Sequence, residues 1–195
     1  MGSRPPKLLE EYGIILNIYR RRVEKHVRTV AEAIGTKYFT LLELLILEGV
    51  NIEVGEKVYI GRGFRLKVEA VLRVLRYEEL SSLARMELEN AVRKIVEENE
   101  ERFLSFFNKS KPINIRIHEL NLLPGIGRKT MWKILEERSK KPFSSFDDLE
   151  ERTDVRNPKG AIIQRIIEEL QTKCRHSLFV AKPLERQYPR FIYNS

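Results

Sequence analysis

The chain has 195 residues, 42% of them hydrophobic and 33% charged, enough apolar material for one large packed domain or two small ones. No apolar run approaches a membrane span, the N-terminal residues read as no secretory signal, and the single cysteine excludes an intrachain disulfide, so a cytoplasmic protein is expected. The net charge of +8 favours a polyanionic partner over a membrane or a small-molecule substrate.

In chain order, residues 1–10 form a tail and residues 11–77 read as β structure. Residues 12–19, 27–34, 38–44, 57–60 and about 66–72 read as short strands, and from the second onward the gaps between them contain glycine. Five short strands in one compact stretch predict a small closed or nearly closed barrel of the OB type. Such a barrel binds single strands by stacking bases on aromatic rings above a basic groove. Tyr19, Tyr38, Phe39 and Tyr59 are the candidate rings, against the plainer alternative that they are core. Arg20, Arg21, Arg22, Arg28, Arg62 and Arg65 are the candidate rim, against the alternative that they solvate loops.

From Tyr77 the period changes to that of a helix: Leu80, Leu83, Leu88, Ala91, Val92, Ile95, Val96, Phe103, Phe106 and Phe107 recur at i, i+3, i+4. Residues 78–112 are therefore one long or one broken connecting helix, ended at Lys111-Pro112. With no flexible Gly/Ser linker on either side, the β and helical parts are expected to dock.

Residues 122–130, Leu-Leu-Pro-Gly-Ile-Gly-Arg-Lys-Thr, lie between two helical patterns. Pro124 stops the first helix, Gly125 and Gly127 can take positive φ, and the second helix begins at about Arg128. The unpaired N–H groups of its first turn and its positive end make an anion site open at Gly127, with Arg128, Lys129 and Thr130 beside it. Between Asn121 and Lys141 stand six basic residues and two acidic ones. The run resembles the helix-hairpin-helix motif, which binds nucleic-acid backbone without reading bases. The resemblance implies phosphate contacts at Gly125, Ile126, Gly127 and Lys129, with Ile126 packed under the hairpin. It departs at Met131, where alanine is usual.

A second unit follows: Ser145 as an N-cap with Asp148 three residues on, a loop over 153–160, then Ile162, Ile163, Ile166, Ile167 and Leu170 at helical spacing. Lacking Gly-x-Gly, its hairpin is expected to be structural, with Arg156 and Lys159 as weaker phosphate contacts. Residues 113–172 thus form a tandem helix-hairpin-helix domain, and 173–195 a basic tail. The fold class expected is α+β, an N-terminal OB-like barrel followed by an all-α tandem domain. Cys174 and His176 have partial metal spacing with nothing to complete it, so neither a metal nor a cofactor is expected.

The order of barrel, helix with Glu-Asn-Glu-Glu-Arg-Phe at 98–103, and Leu-Leu-Pro-Gly-Ile-Gly resembles an archaeal family, domain of unknown function 655. Phe-Thr-Leu-Leu-Glu at 39–43, Val-Tyr-Ile-Gly at 58–61 and Lys-Pro-Phe at 141–143 fit the same pattern. The resemblance implies an RNA-binding protein in ribosomal company, so RNA is favoured over DNA and ribosomal or transcription proteins are candidate partners. The alternative is a structural or adaptor subunit of a ribonucleoprotein or transcription complex. A sharper rival is a DNA glycosylase, since Lys129 and Asp147 have the spacing of a Schiff-base lysine and its aspartate. Asp147, however, lies where a helix start wants acids, and the cluster cysteines of that family are absent. A non-catalytic binder is expected.

Overall fold

A computed structural model describes residues 10–172 and 174–181; the basic tail proposed from 173 onward lies mostly outside the described residues. The chain divides into two compact units, one comprising 10–91 with 170–181, the other 92–169. The class is α+β: a curled, five-stranded antiparallel half-barrel sheet and, among the described residues, five α-helices.

The strands are β1 (Tyr12–Val23), β2 (His26–Gly35), β3 (Leu41–Ile46), β4 (Lys57–Tyr59) and β5 (Val68–Val74). Their order is β4-β1-β2-β3-β5, with every neighbouring pair antiparallel. Five strands were expected and five are found. The expected closure is not: β4 and β5 are the free edges of an open sheet. Three residues of β4 offer too short a ladder to join them. The hairpin between β1 and β2 turns on Glu24 and Lys25, with Glu24 at φ 55, and its last register pair is Val23 with His26. The run Arg20, Arg21 and Arg22 is therefore the far end of a strand and not a loop. All six residues of β3 are buried, Glu43 among them, which is why its apolar residues do not alternate with exposed polar ones. Ile15, Ala33, Leu42, Leu44, Ile46, Val58 and Val68 form the main core of this unit.

The helical pattern from Tyr77 resolves into a 3₁₀ turn (Tyr77–Glu79), α1 (Ser82–Glu98) and α2 (Glu100–Lys109). The break is at Asn99, whose φ of −130° and ψ of 42° leave the helical region. In the second unit a 3₁₀ turn (Glu119–Leu122) precedes α3 (Arg128–Lys140), α4 (Phe146–Arg152) and α5 (Pro158–Gln171). Phe103, Phe107, Leu120, Ile126, Ile134, Phe146, Leu149, Ile162 and Ile166 are buried, and Phe107 meets Phe146 edge-on at 6.2 Å between ring centroids. No helix among the described residues is long and apolar enough to cross a membrane.

Candidate nucleic-acid interface

The segment leading into residues 122–130 is a single 3₁₀ turn, not the α-helix expected. Pro124 follows too closely for a second turn to form. His118 starts it: its Nδ1 accepts a hydrogen bond from the Leu120 N–H at 3.1 Å, in a buried setting. Burial, reinforced by the nearby Arg138 charge, holds the His118 imidazole below its ordinary pKa, so the neutral, accepting form belongs to the fold. Protonation then favours the unfolded chain. Stability contributed by His118 is complete above about pH 6.5 and is lost as pH falls through the window below it. Thermal unfolding should accordingly show a drop between pH 7 and 5.5 that is smaller in His118→Gln. Equal drops in both proteins would mean that His118 is not the group responsible.

The turn itself uses its two glycines differently. Gly125 sits at φ +79, in the left-handed region, as expected. Gly127 does not: its φ is −78 and ψ 179, the extended geometry of a helix N-cap, so positive φ is not why glycine stands there. A Cβ on Gly127 would have nothing within 4 Å. Glycine here leaves the approach to the helix end open.

Ile126 is 4% exposed and packs beneath the turn as expected. α3 begins at Arg128 with no side-chain cap and no acid in its first turn. The N–H groups of Arg128, Lys129 and Thr130 have no intrahelical acceptor, and Arg128 and Lys129 are exposed. Two cations at the positive end of a helix oppose its dipole until an anion arrives.

The starts of α4 and α5 are closed by side chains. α4 is capped by Ser145, which accepts from the Asp148 N–H at 3.0 Å, and its first turn holds Asp147 and Asp148. Asp148 is further held below the usual carboxylate range by the Ser144 backbone N–H. The predicted loop at 153–160 ends earlier than expected. Pro158 is the first residue of α5, where its missing N–H costs nothing, and Asn157 closes the start by accepting from the Gly160 N–H at 2.8 Å. At Gly160 an added Cβ would fall 2.3 Å from the Asn157 side chain, so this glycine serves the cap.

The two loops face one cleft of about 470 Å³. Pro124, Gly125 and Ile126 line one side; Asp154, Val155, Arg156, Asn157 and Gly160 line the other. Arg156 is exposed at its edge, whereas Lys159 is occupied by Glu100 at 3.5 Å and lies over the Phe146 ring. Of the basic residues counted along α3, Lys133 and Lys140 pair with Glu136 or Glu137. Arg138 donates to the carbonyls of Phe107 and Ser110. Among the described residues, the cations left for a ligand at the start of α3 are Arg128 and Lys129; the exposed Lys141 stands past the other end of the helix.

In the β unit the candidates separate. Arg21 pairs with the buried Glu43 at 2.7 Å, Arg28 pairs with Glu69, and Arg65 Nε donates to the Gly61 carbonyl at 2.7 Å. Arg20, Arg22 and Arg62 are exposed. Phe39 is fully buried and cannot stack on a base; Glu10 accepts the Lys37, Tyr38 and Thr40 N–H groups around it, fixing the turn that seats the ring at φ 58. Tyr19 is half-buried with its hydroxyl on Glu43 at 2.6 Å, and burial together with Glu43 pushes its phenol up. The Tyr59 hydroxyl accepts from the Gly63 N–H, and Tyr38 lies near the Lys37 ammonium. Phe64, 87% exposed between Arg62 and Arg65, is the ring that sequence reading passed over. Among the described residues no group of His, Cys, Asp and Glu could hold a metal ion.

The fold and this site define an α+β protein with an antiparallel half-barrel and a helical unit bearing a paired-loop cleft. The family model described as "Protein of unknown function (DUF655)" matches residues 10–181, and the chain belongs to that family. It is 41% identical over 178 residues to the uncharacterized protein MJ0038 of Methanocaldococcus jannaschii, covering 90% of this chain and 82% of the relative. The crystal structure of Af1531 from Archaeoglobus fulgidus, 37% identical, superposes with a TM-score of 0.79 over 88% of this chain and 100% of that one.

Proposed function

We propose that the chain is a non-catalytic, cytoplasmic nucleic-acid-binding protein, with RNA as its target, that grips the phosphate backbone through residues 123–130. The supporting observation is the start of α3: uncapped, free of acids, open at Gly127, and flanked by the exposed Arg128 and Lys129. A phosphate satisfies all of these features together. The second loop, facing the same cleft, supports reading 113–172 as a tandem helix-hairpin-helix domain whose second hairpin braces the first. The five antiparallel strands support an opened OB-like half-barrel as a second contact surface, through Arg20, Arg22, Arg62 and Phe64.

Lys129→Gln tests this reading. It keeps length and hydrogen bonding but removes the charge. Affinity for RNA should fall by about 1 kcal/mol, and the slope of log K against log salt should shrink by about one unit. Borohydride should trap no adduct with damaged DNA, whereas a lyase acting through Lys129 would be trapped and would lose all turnover in Lys129→Gln. Unaltered affinity and slope would remove Lys129 from the interface.

A further inference from the structure

Trp132 lies four residues beyond Arg128 on α3, so the two side chains share a helix face about 6 Å apart along its axis. The indole is 65% exposed, which leaves it out of the core formed by Met131 and Ile134 on the same helix. Opposite it stands the turn 113–117. The Asn114 side chain accepts from the Arg116 and Ile117 N–H groups, and Pro112 and His118 bridge at its base. Ile115 and Arg116 are thereby held at its tip, with Ile115 fully exposed. Ile115, Arg116, Asn121, Arg128, Met131 and Trp132 are among the residues that line a cleft of about 490 Å³ with no Asp or Glu in its wall. Arg138, also lining it, is held by the carbonyls of Phe107 and Ser110. The cleft thus offers a flat aromatic face, an aliphatic wall and two exposed guanidinium groups. Its charge and shape match a base joined to a phosphate.

We propose that this cleft takes the base of an unpaired nucleotide, stacked on Trp132, while the adjoining phosphate lies on Arg128 at the start of α3. The proposal rests on the phosphate-gripping reading and adds to it that the bound strand is single. A paired base, buried in its own stack, has no free face to give.

Trp132 is the chain's one tryptophan, so intrinsic emission reports on it directly. The full chain is titrated with a dye-labelled oligouridylate, an RNA duplex of the same length, and an abasic strand carrying the same phosphates. Dye anisotropy reads binding and indole emission reads stacking. The oligouridylate should bind with saturable quenching, and the duplex and abasic strand should bind with little. Trp132→Ala should weaken oligouridylate binding about fivefold or more, with affinity for the abasic strand unchanged and Trp132→Phe recovering most of the loss. Binding without quenching, with Trp132→Ala neutral, would overturn the proposal and leave the phosphate contact standing. Absence of binding by all three ligands would overturn both.

Discussion

Raising salt from 50 to 200 mM is expected to weaken RNA binding by about two to three orders of magnitude. The estimate follows from counterion release. If four to six phosphates are neutralised, log K against log salt has a slope of roughly −3 to −5, and the salt range is a fourfold change. The hairpin alone does not supply that many contacts. Arg128, Lys129 and the free N–H groups of α3 account for two or three, Arg156 at the cleft edge for another, and exposed cations of the β unit for the remainder. A slope near zero would remove the electrostatic basis of the account and favour a subunit that binds other proteins.

Gly127→Asp should cost about tenfold or more in affinity, on the order of one charge-assisted contact. Its effect on the fold should have the opposite sign or none. Gly127 occupies the N-cap of α3 at φ −78, its Cβ direction is empty, and aspartate is a better N-cap than glycine by a few tenths of a kcal/mol. The introduced carboxylate takes the place proposed for the phosphate. Melting temperature unchanged or slightly raised, with binding lost, is the expected combination. Gly125→Ala provides the contrast, because φ +79 makes any side chain there cost about 1 kcal/mol of stability. Full binding by a folded Gly127→Asp protein would show that the start of α3 is not the contact.

Much of this architecture was legible in the residues, for identifiable reasons. The strands alternate or run apolar, the period changes at Tyr77, and Ser145 marks the start of α4, because each signal is local in the chain. The start of α3 was legible for the same reason: Pro-Gly-x-Gly is a local instruction. What was not legible depended on distance in sequence. Arg21, Arg28 and Lys159 look like free cations until the fold brings Glu43, Glu69 and Glu100 to them. Phe39 looks like a stacking ring until the turn around Glu10 seats it in the core. Sheet closure failed because strand patterning specifies faces and not edges, and β4 is too short to close the gap. Trp132 and Phe64 carried one available signal. Trp132 falls out of phase with the buried Met131 and Ile134, and a large ring off the apolar stripe of a helix points to solvent.

The central claim is that the start of α3 is where phosphate is held, and amide chemical shifts on titration of the ¹⁵N-labelled chain with a short single-stranded RNA at low salt test it most directly. The account predicts that the amides of Gly125, Gly127, Arg128, Lys129 and Thr130 move first and furthest, with smaller changes around Arg156 and Asn157, and that all of them return toward their free positions as salt is added. Shifts confined to the strands or to the far ends of α3 and α5, with the amides at 125–130 unmoved at saturation, would contradict it.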